Sequence, residues 1–121
     1  MLQEANAAYQ KTTQVAAEPR ELEASLLLKA AAKLQATKDK WESDSSGLDE
    51  ALTYNRKLWT VFVASVTRSE NPLPRALKEN VANLGIFIFN HTLKIQARPG
   101  PEKLGILISI NRNLAEGLRS N

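Results

Sequence analysis

The chain has 121 residues, 43% of them hydrophobic and 24% charged, which suffices for one modest core but not for two. It contains no cysteine, which excludes a disulfide framework, a thiolate nucleophile and any cysteine-ligated metal site. The net charge of +3 is unevenly placed: residues 1–50 hold six Lys/Arg against nine Asp/Glu, and residues 51–121 hold ten against four. We therefore expect a single domain over residues 1–121 whose second half is basic.

The sequence gives no sign of a membrane or secreted protein. The apolar run near its centre is interrupted by Gly85 and Asn90, so no transmembrane helix is expected. The opening MLQEANAAYQ lacks both the basic start and the apolar block of a secretory signal. We expect a cytoplasmic protein that does not associate with a membrane.

Taken in chain order, the first half predicts three helices. Residues 2–16 predict a weak helix with Tyr9 as its main anchor, and we expect residues 1–17 to be mobile in isolation. Residues 19–42 follow Pro19 and predict a strong helix. Residues 47–68 predict another, which begins near a capping box at Ser46. The expected core stripe of the 19–42 helix is Leu22, Leu26, Ala30, Leu34, Thr37 and Trp41, and that of the 47–68 helix is Leu48, Leu52, Trp59, Phe62 and Val66.

The stretch NPLPRALKENVANLGIFIF, residues 71–89, admits two interpretations. Alternation over residues 85–89 is typical of a strand, for which residues 104–108 would be the partner. A helix beginning near Pro74 explains the whole segment with two apolar stripes, and it needs no turn residue before position 85. We therefore predict a helix in which Gly85 allows a close helix contact. The first stripe is Leu77, Val81, Leu84, Ile88 and Ile95; the second is Ala82, Ile86, Phe89 and Leu93.

Residues 101–118 predict the final helix, with an apolar face that includes Asn111. A hydrogen-bonded buried amide is the favoured interpretation of Asn111. The predicted fold class is thus all-α, a compact bundle of four to five helices with short connections.

Signals for catalysis are nearly absent. The single histidine, His91, is better explained as a packed side chain with a satisfied ring nitrogen than as a catalyst. The acidic residues of EPRELE, at positions 18–23, suit the first turn of a helix. No phosphate-binding loop or metal-ligand spacing occurs. We expect neither an enzyme nor a bound cofactor or metal.

A binding module is the better class, because two predicted helices are apolar on two sides. The predicted helix that begins near Pro74 has a second apolar stripe. The preceding helix, 47–68, likewise carries Tyr54 and Val61 on the side away from its core face. Such a helix is either the centre of its own bundle or a partner site. The predicted partner-binding surface consists of Trp59, Phe62, Ile86, Phe89 and Leu93.

Several motifs resemble the FlaF family of flagellar biosynthesis regulators. They are Leu58-Trp59-Thr60, the turn ENPLP at 70–74, Leu84-Gly85, NRNL at 111–114 and Gly117-Leu118. Upstream, AAYQKTTQVAAEPRELEASLL is similar to the family's N-terminal tyrosine segment and helix start, whereas the opening MLQEA departs from the family's pattern. The resemblance covers most of the chain.

That resemblance implies a role in flagellum assembly in alphaproteobacteria. Family members promote flagellin production or export alongside the FlbT regulator and are thought to act as flagellin chaperones. The expected partner is therefore flagellin, with FlbT as a second candidate. Unassembled flagellin has apolar, helix-forming terminal segments, which a groove on an all-α protein would cover.

The alternative is a post-transcriptional regulator that acts on flagellin messenger RNA, directly or as an adaptor with FlbT. Its support is the basic second half of the chain, with Arg56, Lys57 and Arg68 among its cations. The chain lacks aromatic residues interleaved with those cations, so direct binding of nucleic acid is the less favoured interpretation. The sequence does not specify an oligomeric state.

Overall fold

The computed structural model describes residues 19–120, which are almost entirely helical. No strand occurs in this range, which confirms the all-α class. The predicted helix over residues 2–16 and the expected mobility of residues 1–17 fall outside the described residues. The elements are α1 Pro19–Asp39, α2 Leu48–Val66, α3 Arg75–Ala97, a 3₁₀ turn Pro101–Lys103, and α4 Leu104–Ser120.

The four helices form a bundle with short connections. Helix α1 lies against both α2 and α4, and α3 lies against α2. The ends of the described chain meet at one end of the bundle, where the Arg119 guanidinium donates two hydrogen bonds to the Glu21 carboxylate at 2.9 and 3.1 Å. No helix among residues 19–120 is both long and apolar enough to span a bilayer.

Proline marks the helix starts much as the sequence predicts. Pro19 is the first residue of α1, Pro74 directly precedes α3, and Pro101 begins the 3₁₀ turn that leads into α4. The predicted capping box at Ser46 is wrong. Gly47 occupies the N-cap of α2 without a side-chain cap, and the Ser46 backbone N–H donates to the Asp44 carboxylate at 2.9 Å instead.

The helical interpretation of residues 71–89 is confirmed. Residues 85–89 lie inside α3, and residues 104–108 lie inside α4. The first predicted stripe of α3 supplies the core with Val81, Ile88 and Ile95, which are fully buried. Alternation of large apolar residues here reflects two helical faces that are both apolar.

The predicted core stripe of α1 is wrong in its first turns. Leu22 is 42% exposed, whereas Ala24 and Leu27 are fully buried. Two helices flank α1 closely, and a small alanine suits such an approach better than a leucine. The core faces predicted for α2 and α4 are confirmed, and every one of their members is buried: Leu48, Leu52, Trp59, Phe62, Val66, Leu104, Leu107, Ile108, Asn111, Leu114, Ala115 and Leu118.

A buried polar network links α2 to α4 at the centre of the core. The Trp59 indole N–H donates to Asn111 Oδ1 at 2.9 Å, and Asn111 Nδ2 donates to Asn55 Oδ1 at 2.7 Å. All three side chains are fully buried. Asn111 is therefore a hydrogen-bonded buried amide, as the sequence predicts. Because each of these hydrogen bonds needs one orientation of its partner, the network fixes how α2 and α4 are rotated against each other.

Replacing Asn111 with leucine should destabilise the protein by about 2–4 kcal/mol, because the Trp59 N–H and the Asn55 carbonyl oxygen would both lose their partner in a water-excluded core. Urea unfolding followed by circular dichroism measures the change. Asn113→Leu, at an exposed position two residues away on the same helix, is the control and should stay near the wild-type stability. Equal stability of Asn111→Leu and wild type would contradict the proposed importance of the network.

Candidate partner-binding groove

The structure divides the predicted partner surface into core and surface residues. Trp59 is fully buried and Phe62 is 4% exposed, so their assignment to a partner surface is wrong. Their rings pack edge to face with centroids 5.9 Å apart. Both residues lie on the same helical stripe as Leu52 and Val66, and that stripe faces the core along all of α2. Of the other three, Ile86 and Leu93 are exposed and Phe89 is half-buried.

Two of these residues, Phe89 and Leu93, line an open apolar groove between α2 and α3. The groove has a volume of about 480 Å³. Phe89 lines the groove and also packs against the hydrophobic core. The residues that line this α2–α3 groove are Arg56, Thr60, Val63, Ala64, Phe89 and Leu93.

Leu93, which lines the groove, is one of the three most exposed large apolar side chains of residues 19–120. Val61 is 69% exposed, Leu93 63% and Ile86 61%, whereas Leu22, Phe87 and Ile106 are only 42–43% exposed. Ile86 lies three and seven residues before Phe89 and Leu93, and Val61 lies three residues before Ala64. Helical spacing therefore places Ile86 on the same face of α3 as Leu93, and Val61 on the outward face of α2 beside Ala64.

Sequence reasoning missed the α2 wall of the groove, which Val61 adjoins without lining it. Thr60 and Ala64 form a stripe of small residues at i and i+4, which is the signal that would have identified a shallow helix surface. Tyr54, predicted alongside Val61, lies instead toward α1, where Lys33 Nζ is 5.2 Å from its ring centroid. Val61 is thus the member of that pair that belongs near the groove.

Gly85 sets how closely α3 approaches α2 beneath the groove. A Cβ atom at this position would lie 2.5 Å from Val63 Cγ2, which is closer than carbon atoms can pack. Val63 lines the groove and also packs against the core. The predicted close helix contact at Gly85 is confirmed, and it determines the depth of the groove.

The other flank of α3 is held by His91. Its Nε2 lies 2.8 Å from the carbonyl oxygen of Lys103, so Nε2 carries the proton and donates to that oxygen. The Phe87 ring stacks on the imidazole with centroids 5.3 Å apart. The prediction that His91 is a packed side chain with a satisfied ring nitrogen is confirmed. This contact ties α3 to the start of α4, away from the groove.

A second concavity, about 260 Å³ in volume, lies where α1 begins and the Asn71 turn follows α2. The Asn71 amide donates to the Ser65 carbonyl oxygen and accepts the Leu73 N–H, which holds this turn in place. Glu23 borders the concavity, and its Oε2 is buried without a hydrogen-bond partner among residues 19–120. Desolvation by burial raises the pKa of the Glu23 carboxyl above 4.5, and the nearby Arg20 offsets part of this rise.

Comparisons with known proteins identify a family. A family model described as Flagellar protein FlaF matches residues 5–118. No curated protein and no solved structure matches the chain.

Within residues 19–120, no cluster of three or more His, Asp or Glu side chains is placed to hold a metal ion.

Gly85→Ala should lower the free energy of unfolding by about 1–3 kcal/mol, because the new methyl group forces Val63 out of its position. In a Val63→Ala background the clash disappears. The same substitution should then stabilise α3 by up to about 1 kcal/mol through helix propensity.

A matched control exists in α4. A Cβ atom at Gly117 would meet no other atom within 4 Å, so Gly117→Ala should stabilise the protein in either background. Denaturant unfolding of the four combinations of the Val63 and Gly85 variants measures the coupling between these two positions. A stabilising Gly85→Ala in the wild-type background would show that the two helices do not meet closely here.

Glu23→Gln should make stability less dependent on pH. Because the folded-state pKa of Glu23 is raised, folding favours its protonated form, so its contribution to stability is present below about pH 4.5 and is lost as the pH rises through the folded value. The variant should therefore be more stable than wild type at pH 7, and the difference should shrink toward pH 4. Chemical denaturation at several pH values tests this, with Glu42→Gln, in an exposed turn, as the control for loss of a carboxylate. A variant less stable than wild type at pH 7 would contradict the assignment.

Proposed function

Since this chain belongs to the FlaF family of flagellar proteins, we propose that it is a flagellum biogenesis factor that binds unassembled flagellin in the cytoplasm as an export chaperone and promotes flagellin synthesis. The observation that carries this proposal is the apolar α2–α3 groove, which is lined by Phe89 and by Leu93, whose side chain is 63% exposed. Apolar side chains gathered on one face are typical of a surface that a partner covers.

The dimensions of the groove suit a helix. Its α2 wall runs from Arg56 to Ala64, which at 1.5 Å per residue is about 12 Å, and its α3 wall runs from Phe89 to Leu93, about 6 Å. The α2 wall accepts about two turns of an amphipathic helix, with anchors at i, i+3 or i+4, and i+7. A terminal segment of flagellin supplies such anchors before assembly buries them, so occupying the groove would keep the subunit from premature association.

Binding, not catalysis, is the mode of action under this proposal, and no cofactor takes part. An effect on flagellin synthesis follows if flagellin-bound and free forms of the protein differ in their binding to a second partner, for which FlbT is the candidate.

Direct action on flagellin messenger RNA is the rival function. Binding to RNA weakens steeply with salt, whereas an apolar groove holds its partner at high ionic strength.

Leu93→Asp is the sharpest test, because Leu93 borders the groove and its 63% exposure lets the substitution leave the core intact. We expect it to weaken binding of purified flagellin by about tenfold or more, measured by calorimetry, with an unchanged helical circular dichroism spectrum. Ile106→Asp on α4 is the matched control: it adds the same charge at a partly exposed isoleucine outside the groove and should bind like wild type.

The outcomes separate the candidate functions. Absence of a complex between wild-type protein and flagellin at micromolar concentrations would contradict the proposal. A complex with flagellin messenger RNA or with FlbT alone would favour the rival. Equal binding of flagellin by both aspartate variants would move the partner site away from the groove.

A further inference from the structure

The charges around the α2–α3 groove are all of one sign. From residue 51 to residue 69, which covers most of α2, the charged residues are Arg56, Lys57 and Arg68. From residue 80 to residue 93, which covers the α3 wall, there is no Lys, Arg, Asp or Glu. The groove therefore has a basic α2 rim, to which Arg56 contributes the charge, and an uncharged α3 rim.

Arg56 is the charged residue among those that line the groove. Lys33 pairs with Glu50 at 3.2 Å and Arg119 with Glu21 at 2.9 Å, whereas Arg56 makes no ion pair with any carboxylate of residues 19–120. Arg56 lines the groove at the end where Leu93 faces it. Its charge is thus exposed beside apolar surface, and no carboxylate in the described part of the chain forms an ion pair with it.

Two further basic residues, Lys57 in α2 and Arg68 in the turn after it, lie near acidic residues outside the groove. Lys57 shares a shallow surface depression with Asp49 and Glu50, and Arg68 borders the Glu23 concavity together with Glu70. Neither of them lines the groove, so Arg56 is the basic residue that a partner in the groove would meet.

We infer that the α2–α3 groove selects an amphipathic helix with an acidic flank, whose carboxylate pairs with Arg56 while its apolar stripe covers Phe89 and Leu93. The inference rests on the proposed function and deepens it, because it specifies which kind of partner segment binds. An acidic flank next to the apolar stripe meets the basic α2 rim, and the uncharged α3 rim imposes no charge on the opposite flank. Complementary charge of this kind fixes orientation and rejects basic helices more than it adds raw affinity.

Two synthetic helical peptides of equal length provide the test. Both carry the same leucine stripe at i, i+4 and i+7, and the residues that flank the stripe on one side are glutamate in one peptide and lysine in the other. Fluorescence anisotropy with the full chain should show that the glutamate peptide binds about tenfold more tightly at low ionic strength. The preference should shrink as salt is added, because the pairing charges lie at the protein surface.

Charge reversal assigns the preference to one residue. Arg56→Glu should abolish or invert the preference for the glutamate peptide, whereas Arg112→Glu should retain it. Arg112 is exposed on α4 and its guanidinium contacts Gln35 of α1, so this control changes the net charge equally away from the groove. Leu93→Asp should weaken the binding of both peptides, which verifies that they occupy the groove.

Each result decides between the inference and the proposed function. Equal affinity for the two peptides, preference for lysine, or no binding of either would overturn the inference, even if flagellin binds. Preference for glutamate that Arg112→Glu removes as completely as Arg56→Glu would also overturn it, because the selection would then arise from net charge. Tight binding of the glutamate peptide with no binding of flagellin would retain the inference and contradict the proposed function.

Discussion

The hydrogen bond from the Trp59 indole to Asn111 is the constraint on which the rest of the structure depends. It joins residues 52 positions apart and has one satisfactory geometry in a core that excludes water. Once the indole faces Asn111, the opposite side of α2 must face outward, and that side carries Val61 and Ala64. The groove is therefore a consequence of a core interaction: the same rotation of α2 buries one stripe and presents another.

Much of the fold follows from the sequence because helices with one apolar stripe can be arranged in few ways. The stripes of α2 and α4 were predictable residue by residue, since large aliphatic side chains recur there at helical spacing without competition. In α1 the prediction failed at Leu22, because alanine is too weakly hydrophobic to stand out beside leucine, although close packing selects it. Helix caps were the least predictable feature: a serine cap was predicted for α2, but its N-cap residue is Gly47, which provides no side-chain hydrogen bond.

The site was only half predictable, for a related reason. The second stripe of α3 identified Ile86, Phe89 and Leu93, because a helix can bury only one of two opposite faces against a single neighbouring layer. Trp59 and Phe62 were misassigned because aromatic residues are enriched in cores and in interfaces alike, so residue type cannot separate the two. Their helical phase could have done so, since it agrees with the core stripe.

The position of α4 has a consequence for how the chain acquires its structure. Helix α1 packs more extensively against α4 than against α2. Most of the apolar face of α1 is therefore covered only after α4, the last helix, has been synthesised. During synthesis the α2–α3 hairpin emerges earlier and makes its own contacts locally, whereas the bundle closes only when residues near 118 have left the ribosome. Loss of the final helix, for example by a premature stop codon, would thus expose the core side of α1 and convert a folded protein into a substrate for proteolysis.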